Sequence, residues 1–259
     1  MRTQMPRRRQ SIYLLPNLFT TACVFSGFYA IVMAINGQFS HAAVAIFVAM
    51  VLDSLDGRVA RLTNTTSDFG ANYDSLSDMV SFGVAPAIVG YVWALKDMGK
   101  LGWVAAFVYL AGAALRLARF NTNIGVVDKR FFQGLPSPAA AALVAGLVWL
   151  VTDWAPQGLV NLDPVTLGWI VWVLMVYAGV TMVSNVPFYS FKELNLRRSV
   201  PFVFVALGAL VLVVVSQDPP SILFTLVLLY SVSGYVYFVW CKANGEPVSM
   251  FAEDEKKEL

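Results

Sequence analysis

Read for charge-free stretches, the 259-residue chain alternates long apolar runs with short polar breaks. The first run, 10–52, is too long for one crossing, because about 20 residues span the hydrocarbon core. Asn36-Gly37-Gln38 interrupts it, which predicts helices over 16–35 and 40–51, the second continuing past Asp53. Later runs predict helices over 79–95, 101–115, 131–152, 164–191, 199–217 and 219–241. Turn-like stretches such as Asp97-Met98-Gly99-Lys100 and Gln217-Asp218-Pro219-Pro220 separate them. The expected fold is an all-α integral membrane protein of about eight transmembrane helices.

Composition agrees. The chain is 58% hydrophobic and 13% charged, about half the 25% charge of a typical soluble domain. A net charge of +2 argues against a nucleic-acid partner. Two cysteines, Cys23 and Cys241, and one histidine, His41, leave no ligand set for a Cys/His zinc site. Orientation follows from the cations. Eight spans put both termini on one face, and that face collects all 18 Lys and Arg residues except Lys96 and Lys100. The basic face is expected to be cytoplasmic, in a bacterial inner (plasma) membrane.

The N-terminus looks like a signal peptide, but its long apolar stretch and the spans that follow predict an uncleaved first helix. Residues 1–15 read either as a segment lying along the anionic leaflet or as a basic flank that sets topology. No internal repeat is visible, which weakens a transporter built from inverted repeats.

The informative stretch is 53–83. Five carboxylates, Asp53, Asp56, Asp68, Asp74 and Asp78, fall between two apolar helices. Asp53 and Asp56 share one helix face, as do Asp74 and Asp78. Antiparallel neighbours bring these four to one point, where they repel unless a cation neutralises them. An oxygen-only donor set favours Mg²⁺, Mn²⁺ or Ca²⁺, and two such ions balance four carboxylates. A two-metal site suits phosphoryl transfer. The plain alternative is a solvated charged loop. Gly57, Ala60, Gly70 and Ala71 would let a bulky diphosphate approach, and Arg58 and Arg61 offer charge for its oxygens.

The pattern D-x2-D-G-x2-A-R-x8-G-x3-D-x3-D is filled by Asp53, Asp56, Gly57, Ala60, Arg61, Gly70, Asp74 and Asp78. It resembles the signature of the CDP-alcohol phosphotransferases. The resemblance implies that Asp53, Asp56, Asp74 and Asp78 bind two divalent cations, Mg²⁺ or Mn²⁺ with Ca²⁺ as a non-native occupant. It implies that Asp78 is also the general base, and that Gly57, Arg61, Ser67 and Gly70 contact a CDP-linked lipid. Asn17 and Thr20, in a P-N-x-x-T stretch, would help enclose the nucleotide. The implied domain is a six-helix core over 16–195, with two added helices over 196–241 and a tail over 242–259. The acidic end of that tail, 253–259, reads as disordered.

Three further stretches, RLARFN (116–121), FQGLPSPAAA (132–141) and SNVPFYSFK (184–192), resemble the phosphatidylserine synthase branch. That branch implies CDP-diacylglycerol and L-serine as substrates, CMP as co-product, membrane lipids as surroundings and a homodimer. Arg116, Arg119, Asn121 and Lys192 are then candidate contacts for the acceptor or a phosphate. Arg116 and Arg119 read equally as positive-inside anchors. Gly134 to Pro138 reads as a turn, and Gly102, Gly112, Gly146 and Gly179 as close helix packing. The last two spans read as structural additions without chemistry. Two alternatives stay open: glycerol 3-phosphate or an inositol phosphate as acceptor, and, in another class, a cation transporter.

Overall fold

The computed structural model describes residues 7–63, 67–122, 131–190, 213 and 215–245, with side chains from residue 16 onward. Lys192, residues 253–259 and almost all of the span expected over 199–217 lie outside the described residues. So do residues 64–66 of the polar link and the side chains of 1–15.

Among the described residues, seven long helices carry the fold: α1 (Arg7–Ile35), α2 (Phe39–Leu62), α3 (Asp68–Met98), α4 (Lys100–Thr122), α5 (Ser137–Trp154), α6 (Pro164–Val183) and α7 (Pro219–Asn244). Six are long and apolar enough to cross a membrane; α2, whose last turns carry Asp53, Asp56, Arg58 and Arg61, is not among them. The protein is an all-α integral membrane protein, while a count of eight is not reached among the described residues.

The helices start and stop where backbone chemistry demands. Gly37 ends α1 in the left-handed conformation (φ 75°). There the Gln38 amide donates to the Met33 carbonyl and the Gly37 amide to that of Ala34, so two orphaned carbonyls are satisfied. Asp163 caps α6 by accepting from the Thr166 amide at 3.0 Å, ahead of Pro164 in the first turn. The hydrogen bonds to Thr166 hold the Asp163 carboxyl below the usual carboxylate range.

Lipid offers no hydrophobic drive for helices to meet, so small residues and hydrogen bonds decide the packing. Between α1 and α2 the contact is built from Cys23, Ala30, Ala34, Ala42, Ala43, Ala45 and Ala49, all buried, and the Ser26 hydroxyl donates to the Ala45 carbonyl at 2.7 Å. Gly27 lets α3 close in, since a Cβ there would lie 2.6 Å from Ser81 Oγ. Gly112 and Gly179 face each other across α4 and α6, with no room for a side chain at either. Gly102 has no room for a side chain against the Leu95 carbonyl, and Gly146 packs more loosely on Phe224, 3.2 Å from where a Cβ would stand. Of the candidate spans α5 is the most enclosed, 61% of its apolar window being buried, and α7 the least, at 11%.

Two expected helical stretches are corrected. Residues Phe131–Gln133 (β1) and Pro187–Tyr189 (β2) are extended and pair antiparallel, Phe132 opposite Phe188. Charge-free length alone cannot distinguish such strands from helix. The break is set by Gly134 (φ 76°), whose α-carbon lies too close to the Met182 carbonyl to bear a side chain. A second difference lies inside α3, which widens to π-helix over Met79–Val84 and Tyr91–Leu95. A π turn leaves carbonyls off the α ladder; the buried Tyr109 hydroxyl serves one, donating to the Phe82 carbonyl at 3.0 Å.

Candidate active site

The final turns of α2 and the opening turns of α3 meet beside α1, and the acids converge there. Asp53, Asp56 and Asp74 each present a carboxylate oxygen, all within 4.8 Å of one another. Asp78, one turn beyond Asp74, stands in hydrogen-bond range of Asp53, and Asp56 does so with Asp74. Carboxylates this close repel unless a proton or cation is shared between them. Asp74 Oδ1 and Asp78 Oδ1 are buried without any hydrogen-bond partner. Buried polar atoms are rarely left so. An all-oxygen cluster with two orphaned oxygens fits hard divalent cations.

α1 supports the cluster. Thr20, buried, donates to Asp56 Oδ2 at 2.9 Å. Its carbonyl accepts from the buried Ser77 hydroxyl at 3.3 Å, fixing α1 to the turn between Asp74 and Asp78. Thr20 thus faces a carboxylate, where the P-N-x-x-T resemblance implied a nucleotide contact. Asn17 lies one turn nearer the helix start, its Oδ1 3.8 Å from where a Cβ on Gly70 would stand.

Around Gly57 nothing lies within 4 Å of a would-be Cβ, so the approach to α2 is open. Arg61 is exposed, and its Nε donates to the Gly57 carbonyl at 2.9 Å. Ser67 caps α3: its hydroxyl accepts from the Gly70 amide at 3.1 Å. This local role belongs to a position singled out for lipid contact.

The arginines diverge. Arg116 is buried, donates to Ser137 Oγ at 2.6 Å and interacts electrostatically with Asp78. Its Nε is buried without a partner. Arg119 turns instead to the end of α6, donating to the Val183 carbonyl at 2.7 Å and, at 3.4 Å each, to the Ser184 carbonyl and Asn185 Oδ1. A cation on the last carbonyls of a helix is favoured by the helix dipole. Asn121 pairs with Ser75, Nδ2 donating at 3.1 Å, and lines a groove with Asn72, Leu76, Met79 and Leu117.

Sequence reasoning missed Ser77, Ser137 and Asn185 as partners. A buried arginine needs an acceptor, and Ser137 lies inside the stretch already singled out at 132–141, so that partner left a trace. Ser77 left none.

Comparison with known proteins agrees with this geometry. The family model for CDP-alcohol phosphatidyltransferase matches residues 13–184. The CDP-diacylglycerol–serine O-phosphatidyltransferase of Helicobacter pylori strain J99 is 37% identical over 229 residues, covering 88% of this chain and 93% of that protein. Proteins of the same name from Mycobacterium leprae and Methanocaldococcus jannaschii are each 32% identical, over 235 and 194 residues. They cover 88% and 75% of this chain, and 76% and 82% of their own length. The four acids, both helices that carry them and the α1 segment that supports them all fall inside the matched range, and an enzyme of transfer chemistry replaces the cation-transport alternative. This chain belongs to the CDP-alcohol phosphatidyltransferase family.

Proposed function

We propose that the protein transfers the phosphatidyl group of CDP-diacylglycerol to the hydroxyl of L-serine, giving phosphatidylserine and CMP on the cytoplasmic face of the membrane. The observation that carries the reading is the convergence of Asp53, Asp56 and Asp74, with Asp78 beside them, in a chain whose relatives from Helicobacter pylori and Mycobacterium leprae bear that activity in their names.

The serine oxygen attacks the phosphorus that bears diacylglycerol, in line with the bond to CMP. The new P–O bond forms as the bond to the CMP oxygen breaks. The hydroxyl proton passes to Asp78, whose Oδ1 is an unpartnered buried acceptor. Asp53, Asp56, Asp74 and Asp78 would hold two divalent ions, Mg²⁺ or Mn²⁺. Bound there, the ions supply Lewis-acid stabilisation of the attacking and leaving oxygens. Thr20 fixes the rotamer of Asp56. Arg61, anchored through Gly57, offers positive charge to the phosphate oxygens of the departing CMP.

The test is CMP release from the purified chain with CDP-diacylglycerol and Mg²⁺ or Mn²⁺, offered each alcohol in turn. Turnover with L-serine is expected. Turnover with glycerol 3-phosphate or an inositol phosphate, and none with serine, would keep the family chemistry and refute the acceptor.

A further inference from the structure

The family match ends at residue 184, yet the chain continues into β2 and α7, which return to the active site. α7 is the least enclosed span, an apolar helix on the rim of the bundle. Its inner face is nevertheless specific. Tyr230 donates to the Tyr189 carbonyl at 3.1 Å, and the Ser231 carbonyl accepts from Tyr177 at 2.8 Å. The Tyr235 and Thr181 hydroxyls lie 2.8 Å apart. Gly234 admits the fully buried Phe188 ring, three atoms of which lie within 2.8 Å of a would-be Cβ. Tyr237 stacks on Phe131 at 5.4 Å. In lipid, hydrogen bonds and close backbone approach of this kind set the register of a helix.

What α7 holds is the ribbon, and the ribbon reaches the arginines. Asn185, just before β2, accepts from both Arg119 and Gln133 of β1, the latter at 2.8 Å. The Gly134 amide donates to the Val186 carbonyl at 2.9 Å and leads to Ser137, the partner of Arg116. Tyr230 lies within electrostatic range of Arg116, as Asp78 does. An arginine more than nine-tenths buried, with an unpartnered Nε, is a donor held ready for an anion. The acids sit where α1, α2 and α3 meet, and the ribbon meets the site through Arg116 and Arg119 of α4.

We propose that α7 and the β1–β2 ribbon form the acceptor-side wall, with Tyr230 and Gly234 as positioning residues that hold Arg116 toward the carboxylate of an amino-acid alcohol. This rests on the reading of the protein as a transferase to serine. Selectivity for the acceptor then comes from packing between segments distant in the sequence.

The experiment uses the full chain in detergent with CDP-diacylglycerol and Mn²⁺, measuring KM for each substrate in Tyr230→Phe, Gly234→Leu and Gly146→Leu. Gly146 packs on Phe224 of α7 away from the ribbon, so its variant controls for loosened packing alone. Tyr230→Phe and Gly234→Leu are expected to raise the serine KM about tenfold, with the CDP-diacylglycerol KM within about twofold of the parent. Gly146→Leu is expected to leave both KM values in place. An unchanged serine KM, a parallel rise in both KM values, or an equal rise in Gly146→Leu overturns the proposal. If Gly234→Leu does not fold, Tyr230→Phe decides alone. If the parent uses a different alcohol, the acceptor reading fails, and the wall is judged on the KM for that alcohol. No turnover with any alcohol overturns both.

Discussion

The two halves of the site are built by opposite means. On the donor side, four acids lie within one stretch of two consecutive helices, so spacing of three and four residues decides their geometry. On the proposed acceptor side, Arg116, Ser137, Asn185 and Tyr230 come from four distant segments, joined by a two-stranded ribbon and α7. On the proposed reading, local sequence sets the transfer chemistry, while the choice of acceptor depends on tertiary contacts.

Substitutions can break that contrast, beginning with the largest expected effect. Asp78→Asn keeps size and removes the base, so CMP release should fall by about 10³-fold or more, while the thermal melt stays near that of the parent. Activity within about tenfold of the parent would take the base role away from Asp78. Thr20→Val removes the donor to Asp56 without touching an acid. Mn²⁺ affinity, read by titration without substrate, should weaken by about tenfold or more, as for other partners of metal ligands. Unchanged Mn²⁺ affinity would return Thr20 to the nucleotide contact suggested by its motif.

On the other side, Arg119→Gln frees the end of α6 and Asn185. The serine KM should rise several-fold, by about 1 kcal/mol of binding, with kcat nearly unchanged. An equal loss in kcat would place Arg119 at the reacting atoms. The smallest effect is expected at Ser67, where the hydroxyl caps α3. Ser67→Ala should cost about 1 kcal/mol of stability, and Ser67→Asp, which also caps, should restore it. A rise in the CDP-diacylglycerol KM that Asp fails to reverse would make Ser67 a lipid contact instead.

How much could be read in advance follows the same division. The span expected over 16–35 coincides with the apolar part of α1, because Gly37 and the polar Asn36 and Gln38 mark its end unambiguously. The acid cluster was legible because helix periodicity converts spacing directly into a shared face. The ribbon was not: Phe131–Gln133 and Pro187–Tyr189 are as free of charge as the helices around them, and only pairing across the bundle makes them strands. The orientation of Arg119 was equally hidden. Spacing put it on one face with Arg116, but the unsatisfied carbonyls at the end of α6 draw its guanidinium away. α7 read as an addition without chemistry, since tyrosines in an apolar span look like a membrane-interface belt until their hydroxyl partners are known.

The central claim is that one site joins a CDP-linked lipid to serine, with the hydroxyl as nucleophile. The direct measurement follows isotopically labelled serine into the lipid fraction while CMP is quantified in the same reaction, with Mn²⁺ present and after chelation. Labelled lipid and CMP should appear in equal amounts, and both should vanish on chelation and return with the metal. CMP released without label entering the lipid, or labelled lipid formed undiminished after chelation, would contradict the account.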